Sequence, residues 1–403
     1  MARLPFALFG LASIIGLYFF CRTLFNDKKT AAFTVALLAL SVPFLLLSRQ
    51  CRYYSLTAFF SIAGLYGYHG MLRKKRLGPA IYFLASTFLF HTHYIYLATM
   101  LGTVAGHLIL FHRRHWRRTV FWTMGVLAAN SPWIIWLSGM RYTEQYGGAV
   151  FNLPLFFANF SSFLIDISQY VFPVALLIAP VAIFVWNFLT KKENLPIREA
   201  RFWEAISLPL LYIIITLTAL SLTAPAPFFR YLTPLLPFLF ILAGLFLRWA
   251  VQVHLLAGIA LLITIVFSGQ INFYLYEITN DYDDPIRGIV SYLKKHASKD
   301  DIVAITYDDL PLKFYTDLRV IGGLTGEDLT QAANADWIII RRNIICEKDQ
   351  KVRDYLISQV QWQHYEKHIL PYPDVPFTNR GSPREHLFYM PKNYPAVVIH
   401  KKM

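Results

Sequence analysis

The residues of this chain best suited to hold an anion are three arginines, Arg49, Arg52 and Arg230, which each lie beside a long apolar run. A guanidinium presents parallel N–H donors and therefore grips a phosphate group in a two-pronged way. Arginines at a membrane surface also extend toward lipid head groups or pair with a neighbouring domain. Phosphate binding and this structural role are both open for the three residues.

Aromatic and imidazole side chains accompany these arginines. Tyr53 and Tyr231 adjoin Arg52 and Arg230, and His93-Tyr94 falls at a polar point in an uncharged run. Such side chains can contact a sugar, a phosphate or an acceptor. The alternative is that the tyrosines belong to the aromatic belt at the membrane interface and that His93 is solvated.

Acids able to serve as a general base are scarce in residues 1–274. Glu144 and Asp166 are the two candidates, and each has the alternative of being a loop charge. Asp281-x-Asp283-Asp284 resembles a D-x-D metal motif, but the following Pro285 favours helix capping. The sequence contains no P-loop, H-E-x-x-H or G-x-S-x-G motif. We therefore predict no metal site and no cofactor. The alternative is a divalent metal at the D-x-D segment.

Composition sets the environment in which these residues act. The 403 residues are 56% hydrophobic and 15% charged, with a mean hydropathy of +0.42. Soluble domains carry about a quarter charged residues, so a soluble globular protein and a disordered chain are both excluded. Three cysteines provide neither a disulfide framework nor a metal knuckle.

The formal net charge of +14 is unevenly distributed. Residues 275–403 hold 17 Lys and Arg against 18 Asp and Glu, so the excess lies entirely within the apolar residues 1–274. The basic runs lie between apolar segments and not on a soluble domain, so nucleic acid is not an expected partner. Two domains are predicted, a multi-span membrane domain over 1–274 and an α/β domain over 275–403.

Apolar runs of about 20 residues, which are long enough to cross a bilayer as helices, recur along residues 1–274. The run 79–111 is too long for one crossing, so we expect two short helices with a turn at His91–Tyr94. About ten transmembrane helices follow, near 4–20, 31–48, 55–72, 79–111 as two, 119–138, 169–189, 204–222, 231–248 and 252–271.

The basic loops orient these spans. Sixteen of the 21 Lys and Arg in residues 1–274 fall in alternate loops, which the positive-inside rule assigns to the cytoplasm. The chain is thus predicted to be a multi-pass membrane protein with its C-terminal domain outside. Met1 is also placed outside without a signal peptide ahead of it, so we expect a preceding span to be missing from this chain.

In residues 275–403 the apolar runs are shorter than in residues 1–274, and acidic and basic residues are nearly equal in number. Strands are predicted at 302–306, 319–321, 336–340, 386–390 and 396–400, and helices at 286–295, 310–315 and 348–360. Strands that alternate with helices indicate a small α/β domain.

Several segments together resemble bacterial GT-C glycosyltransferases of the polyprenyl-phosphate-sugar-dependent type. These include protein mannosyltransferases, aminoarabinose transferases of lipid A and rhizobial lipopolysaccharide sugar transferases. The segment Leu45–Leu56 (LLLSRQCRYYSL) is similar to their S-R-x-x-R-x-Y-S-L, His91–Tyr94 to their T-H-Y hairpin, and Phe229–Leu232 to their R-Y-L-x-P. Residues 275–403, which include Asn379-Arg380 and His386–Phe388, look like the small external domain of these enzymes.

The resemblance implies transfer of a sugar from a polyprenyl-phosphate donor to a lipid, glycan or protein acceptor at the outer face. In the family, an acidic loop after the first span supplies the catalytic base and precedes a segment like Arg3–Gly10. No residue of this chain matches that acid by motif, so we expect the polypeptide alone to be inactive. The alternatives are a transporter or flippase of polyprenyl-linked lipid and a non-catalytic membrane partner.

Overall fold

The structure, a computed structural model, describes residues 3–48, 50–139, 152–174, 197–224, 227–267, 285–322, 329–342, 347–374 and 395–403. Two compact units are present. Of the described residues, those through Phe267 belong to the first unit and those from Pro285 onward to the second.

The first unit is helical. Its helices are α1 (Leu4–Phe25), α2 (Lys28–Ala39), α3 (Val42–Ser48), α4 (Tyr54–Leu72), α5 (Gly78–Thr92), α6 (Tyr94–Phe111), α7 (Trp116–Gly139), α8 (Leu153–Tyr170), α9 (Ile197–Thr223), α10 (Leu236–Val253) and α11 (Leu255–Phe267). A 3₁₀ helix, Phe229–Leu235, leads directly into α10.

Four segments of the described residues are long and apolar enough to cross a membrane: Leu4–Phe25, Tyr94–Phe111, Arg201–Thr223 and Phe229–Val253. The pair α2 and α3 counts as a fifth if it forms one bent span. The 15 residues of α5 extend about 22 Å, so this helix by itself is too short for a core of about 30 Å. The chain is therefore a multi-pass membrane protein, and the number ten stays a prediction.

Two predicted spans differ from the structure. The expected span 31–48 is broken between α2 and α3, which meet at an angle of 66°. Pro43 suits the first turn of a new helix and not the interior of a continuous one, which explains the break. The expected span 169–189 begins too early, because α8 ends at Tyr170 and residues 171–174 are not helical. Its remainder, 175–189, lies outside the described residues.

Glycines allow α4 and α5 to approach closely. A Cβ at Gly78 would lie 2.5 Å from the backbone N of Met71, and one at Gly67 would lie 2.8 Å from the Cα of Tyr82. Both distances are too short for any side chain, so only glycine permits this contact between backbones. The helices run antiparallel, which brings the start of α4 beside the end of α5.

The second unit contains a five-stranded mixed sheet in the order β2-β1-β3-β5-β4. Its strands are β1 (Ile302–Ile305), β2 (Arg319–Gly322), β3 (Trp337–Ile339), β4 (Tyr365–Pro373) and β5 (Ala396–Lys402), and its helices are α12 (Pro285–His296), α13 (Asp309–Tyr315) and α14 (Glu347–Gln359). Strands β1, β2 and β3 are parallel, and β5 is antiparallel to both β3 and β4.

Apolar side chains cover both faces of this sheet. Val303 and Ile305 pack with Leu293 of α12 on one face, whereas Ala304 packs with Leu356 of α14 on the other. This alternation along β1 gives a helix–sheet–helix arrangement. Strands and helices predicted between 286 and 360 lie within two residues of the observed ones. The sequence analysis missed β4, and the predicted strand 386–390 lies outside the described residues.

Candidate functional site

The three motif segments of the first unit meet at one end of its helices. The ring of Tyr53 lies 4.9 Å from that of His93, and the ring of His93 lies 4.8 Å from that of Tyr96. The Tyr96 hydroxyl in turn donates a hydrogen bond to the backbone carbonyl of Tyr231. Residues from the start of α4, the α5–α6 connection and the 3₁₀ helix thus form one cluster, called here the tyrosine–histidine–arginine site.

Local backbone geometry fixes the members of this site. His93 has extended backbone angles (φ −168°, ψ 104°) and separates α5 from α6, which confirms the predicted break at His91–Tyr94. The 3₁₀ helix is closed by a hydrogen bond of 2.7 Å from Thr233 Oγ1 to the carbonyl of Arg230. Since Pro234 lacks an N–H, this side-chain contact helps to hold the tight turn before α10.

Arg230 supplies a cation to the site. Its guanidinium carbon lies 4.1 Å from the ring centroid of Phe228 and 5.6 Å from that of Tyr231. Its Nε and Nη1 atoms are buried and have no hydrogen-bond partner among the described residues. Leaving such charged donors unsatisfied costs free energy, so an anion placed against these atoms would be stabilised.

His93 and Tyr53 contribute neutral polar groups. In the part of the chain that the structure describes, the buried Nδ1 atom of His93 has no hydrogen-bond partner. Burial lowers the pKa of His93 to about 4. Burial also raises the pKa of Tyr53, with the neighbouring Tyr54 and Tyr231 adding to the rise and Arg230 opposing it. At neutral pH the site therefore combines one cation with an uncharged imidazole and a protonated phenol.

Other predicted site residues have different positions. Arg52 is exposed and directly precedes Tyr53 of the cluster, and its role in phosphate binding stays a prediction. The side chain of Arg52 extends from a turn of the chain between α3 and α4, where no helix fixes its direction. Tyr94 is 58% exposed and touches the site through His93, at 5.8 Å between rings. Arg49 and Glu144 lie outside the described residues.

Asp166 is the candidate base that the structure describes. It is half-buried on α8, one helical turn before Tyr170, whose ring lies 5.8 Å from that of Phe229. Residues four apart share one face of a helix. The carboxylate is thus on the side of α8 that faces the 3₁₀ helix carrying Arg230.

Sequence analysis missed Tyr96 and Phe228. A signal for Tyr96 was available, because it follows His93 by three residues and so lies on the same side of the first turn of α6. No comparable signal for Phe228 was present in the sequence. Its contact with Arg230 depends on the conformation of the arginine side chain, which places the guanidinium over the Phe228 ring. Within the described ranges, no three His, Cys, Asp or Glu side chains are arranged to hold a metal ion.

Residues 1–136 match the family described as dolichyl-phosphate-mannose-protein mannosyltransferase. No curated protein matches the chain.

Among solved structures, the chain is similar to ArnT from Cupriavidus metallidurans. The apo form aligns with a TM-score of 0.57 and 13% identity over 99% of this chain and 83% of ArnT. The form bound to undecaprenyl phosphate aligns with a TM-score of 0.56 at the same identity and coverage. The fold is that of a GT-C glycosyltransferase, which confirms the resemblance drawn from the sequence.

Proposed function

We propose that this chain belongs to a membrane glycosyltransferase that takes its sugar from a polyprenyl-phosphate donor and passes it to an acceptor at the outer face. The observation that carries the proposal is Arg230, whose buried Nε and Nη1 atoms have no hydrogen-bond partner within the described ranges. In this proposal the tyrosine–histidine–arginine site binds the donor phosphate, and Arg230 stabilises the negative charge that grows as the phosphate leaves.

The reaction needs a nucleophile and a base as well as a phosphate site. An acceptor oxygen attacks the anomeric carbon, the bond from that carbon to the phosphate oxygen breaks, and the acceptor proton passes to a base. Asp166 is the described carboxylate best placed for that role, because its helix contacts the 3₁₀ helix at Tyr170 and Phe229. The acceptor, whether a lipid, a glycan or a protein, stays open.

One sequence prediction accompanies this proposal. We expect the protein in the bacterial inner membrane with its second unit on the outer side, where acceptors are found. Donor binding is the step that the experiments below test.

The first experiment measures equilibrium binding of undecaprenyl phosphate to the purified chain in detergent. Arg230→Gln should weaken binding about tenfold or more, because a charge-assisted hydrogen bond contributes about 1.5–3 kcal/mol. Arg230→Lys should restore part of the affinity, since an ammonium keeps the charge and loses the two-pronged geometry.

Arg22→Gln is the matched control, as Arg22 is an exposed arginine in the last turn of α1. Its affinity should equal that of the unaltered chain. If Arg230→Gln bound undecaprenyl phosphate as tightly as the unaltered chain does, Arg230 would not be the phosphate-binding residue, and the proposal would be wrong on that point. A preference for undecaprenol over undecaprenyl phosphate would exclude a phosphate donor altogether.

A further inference from the structure

Two loops of the first unit are densely basic. They are the segment after α4 and the segment that joins α6 to α7, taken together with the first turn of α7. Their Lys and Arg side chains are all exposed and are called here the basic patch: Arg73, Lys74, Lys75, Arg76, Arg113, Arg114, Arg117 and Arg118.

The two loops adjoin in the structure. Arg118 Nη1 donates a hydrogen bond of 3.5 Å to the carbonyl of Met71, near the end of α4. His115 lies between α6 and α7, and burial together with the charges of His112, Lys74 and Arg118 lowers its pKa. Cations from separate loops are thus close enough to act on the same imidazole.

Carboxylates do not balance this patch. Residues 28–143 contain no Asp or Glu, and in the described part of the chain none of the eight cations forms an ion pair. Glu204 of α9 approaches the region, but its Oε1 is 3.0 Å from His112 Nε2. The α1–α2 loop differs, because Asp27 there lies 3.3 Å from Arg248.

Exposed apolar side chains border the cations. Leu77 follows Arg76 and is 68% exposed, and Trp116 is 52% exposed. The guanidinium carbon of Arg117 lies 5.7 Å from the Trp116 ring centroid. Phe121, one turn further along α7, is 70% exposed. This combination suits a ligand that has phosphate and hydrocarbon next to each other, which a free phosphate lacks.

We propose that the basic patch binds the phosphate head groups of anionic phospholipids, with diphosphatidylglycerol, which carries two phosphates, as the preferred ligand. Like charges that converge without counter-ions repel one another, and bound phosphates relieve that repulsion. The positive-inside rule explains why the loops are basic, but it requires neither their convergence nor the apolar border. The proposal does not depend on sugar transfer.

The test is native mass spectrometry of the full chain in detergent, titrated with diphosphatidylglycerol. The triple variant Lys74→Gln, Arg76→Gln and Arg114→Gln removes cations from both loops. Each cation near a membrane surface contributes about fivefold to anionic lipid binding, so the expected loss is about a hundredfold. Arg76→Lys with Arg114→Lys keeps the charge and should keep the affinity, which separates charge loss from misfolding.

A control variant of equal charge is Arg22→Gln with Lys28→Gln and Lys29→Gln, whose three residues are exposed beside the Asp27–Arg248 pair. It should bind diphosphatidylglycerol like the unaltered chain, as should Arg230→Gln. Equal losses in the control and patch variants would overturn the proposal, because binding would then follow net charge. Displacement of the lipid by millimolar inorganic phosphate or by an oligonucleotide would also overturn it.

Discussion

The imidazole of His93 packs against the phenol ring of Tyr53 at 4.9 Å between centroids. These residues belong to different motifs, and the close antiparallel pairing of α4 and α5 brings them together. The two rings are tilted at 58° to each other. The pair therefore forms the neutral side of a site whose charge comes from Arg230.

Replacement of His93 should weaken donor binding in a way that does not depend on pH. His93→Ala is expected to raise the Kd for undecaprenyl phosphate about tenfold, because a hydrogen bond to a charged group is lost. Burial lowers the pKa of His93 to about 4, so the imidazole is neutral both at pH 5.5 and at pH 8. The ratio of the two Kd values should stay constant across that range.

Titration calorimetry at several pH values measures this ratio. His93→Phe serves as the matched control for packing, because it keeps an aromatic ring against Tyr53 and removes the nitrogen atoms. Its Kd should match that of His93→Ala. A step near pH 6.5 that is present only in the unaltered chain would mean that the charged imidazole binds the phosphate, against this prediction.

A methyl group at Gly67 should destabilise the first unit. The added Cβ of Gly67→Ala would meet the backbone of Tyr82, which cannot move independently of α5. Overpacking of this kind costs about 1–3 kcal/mol, so the thermal midpoint in detergent should fall by several degrees. Donor affinity should fall with it, since the α4–α5 pairing positions Tyr53 and His93.

Gly16→Ala in α1 provides the comparison. Its Cβ would lie 3.6 Å from Ile62 Cγ2, which is ordinary van der Waals contact. Alanine also has the higher helix propensity, so the thermal midpoint should stay equal or rise. Equal destabilisation by both substitutions would show that the α4–α5 contact has no special constraint.

The sequence was sufficient to predict that the motif segments lie on one side of the membrane, but not that they meet or which side chains face one another. Pro79–Phe111 is uncharged and too long for one crossing, so its break at the polar point was predictable. The positions of Tyr53, His93 and Tyr231 at one end followed from alternating spans. The exposed side chain of Arg52 was not predictable, because its direction depends on the backbone of a turn and not on a helical period.

Strand β4 shows a second limit. Its sequence contains Pro371 and Pro373, which remove backbone donors and argue against a strand in the middle of a sheet. In the structure β4 lies at the edge, where only β5 pairs with it. Edge position is a property of the whole sheet, so the strand could not be inferred from the local pattern.

Arg341 should be essential for the stability of the second unit. It is fully buried, and its guanidinium donates hydrogen bonds of 2.6 Å to Asp308 and 2.7 Å to Asp374. Arg341→Met would leave two carboxylates facing each other without a cation, at a cost of about 3–5 kcal/mol. Backbone amides of Trp337–Ile339 should then exchange with solvent about a hundredfold faster or more.

Hydrogen exchange of the full chain, read by mass spectrometry, reports on these amides separately from those of the first unit. Arg319→Gln, at an exposed position that begins β2, should leave their exchange within about threefold of the unaltered rate. Unchanged exchange in Arg341→Met would indicate that the buried ion pairs contribute nothing net to the sheet.

Asp27 should stabilise the α1–α2 connection in a pH-dependent manner. Its carboxylate accepts hydrogen bonds from Lys29 N at 2.9 Å and Thr30 Oγ1 at 2.8 Å, and Arg248 Nε lies 3.3 Å away. Partial burial raises the pKa of Asp27, but these three donors outweigh it and hold the pKa below its usual 3.8. The stabilisation is therefore fully present above pH 4 and is lost as the pH falls through the lowered pKa.

Two substitutions separate the cap from the charge. Asp27→Ala removes both and should cost about 1 kcal/mol at pH 7, with the difference from the unaltered chain shrinking below pH 4. Asp27→Asn keeps a capping oxygen and loses only the attraction to Arg248, so it should cost a few tenths of a kcal/mol. Thermal midpoints of the three proteins between pH 3 and pH 7 give both values. A difference between Asp27→Ala and the unaltered chain that persists unchanged at pH 3 would assign the stabilisation to packing, because protonation of Asp27 would then have no effect.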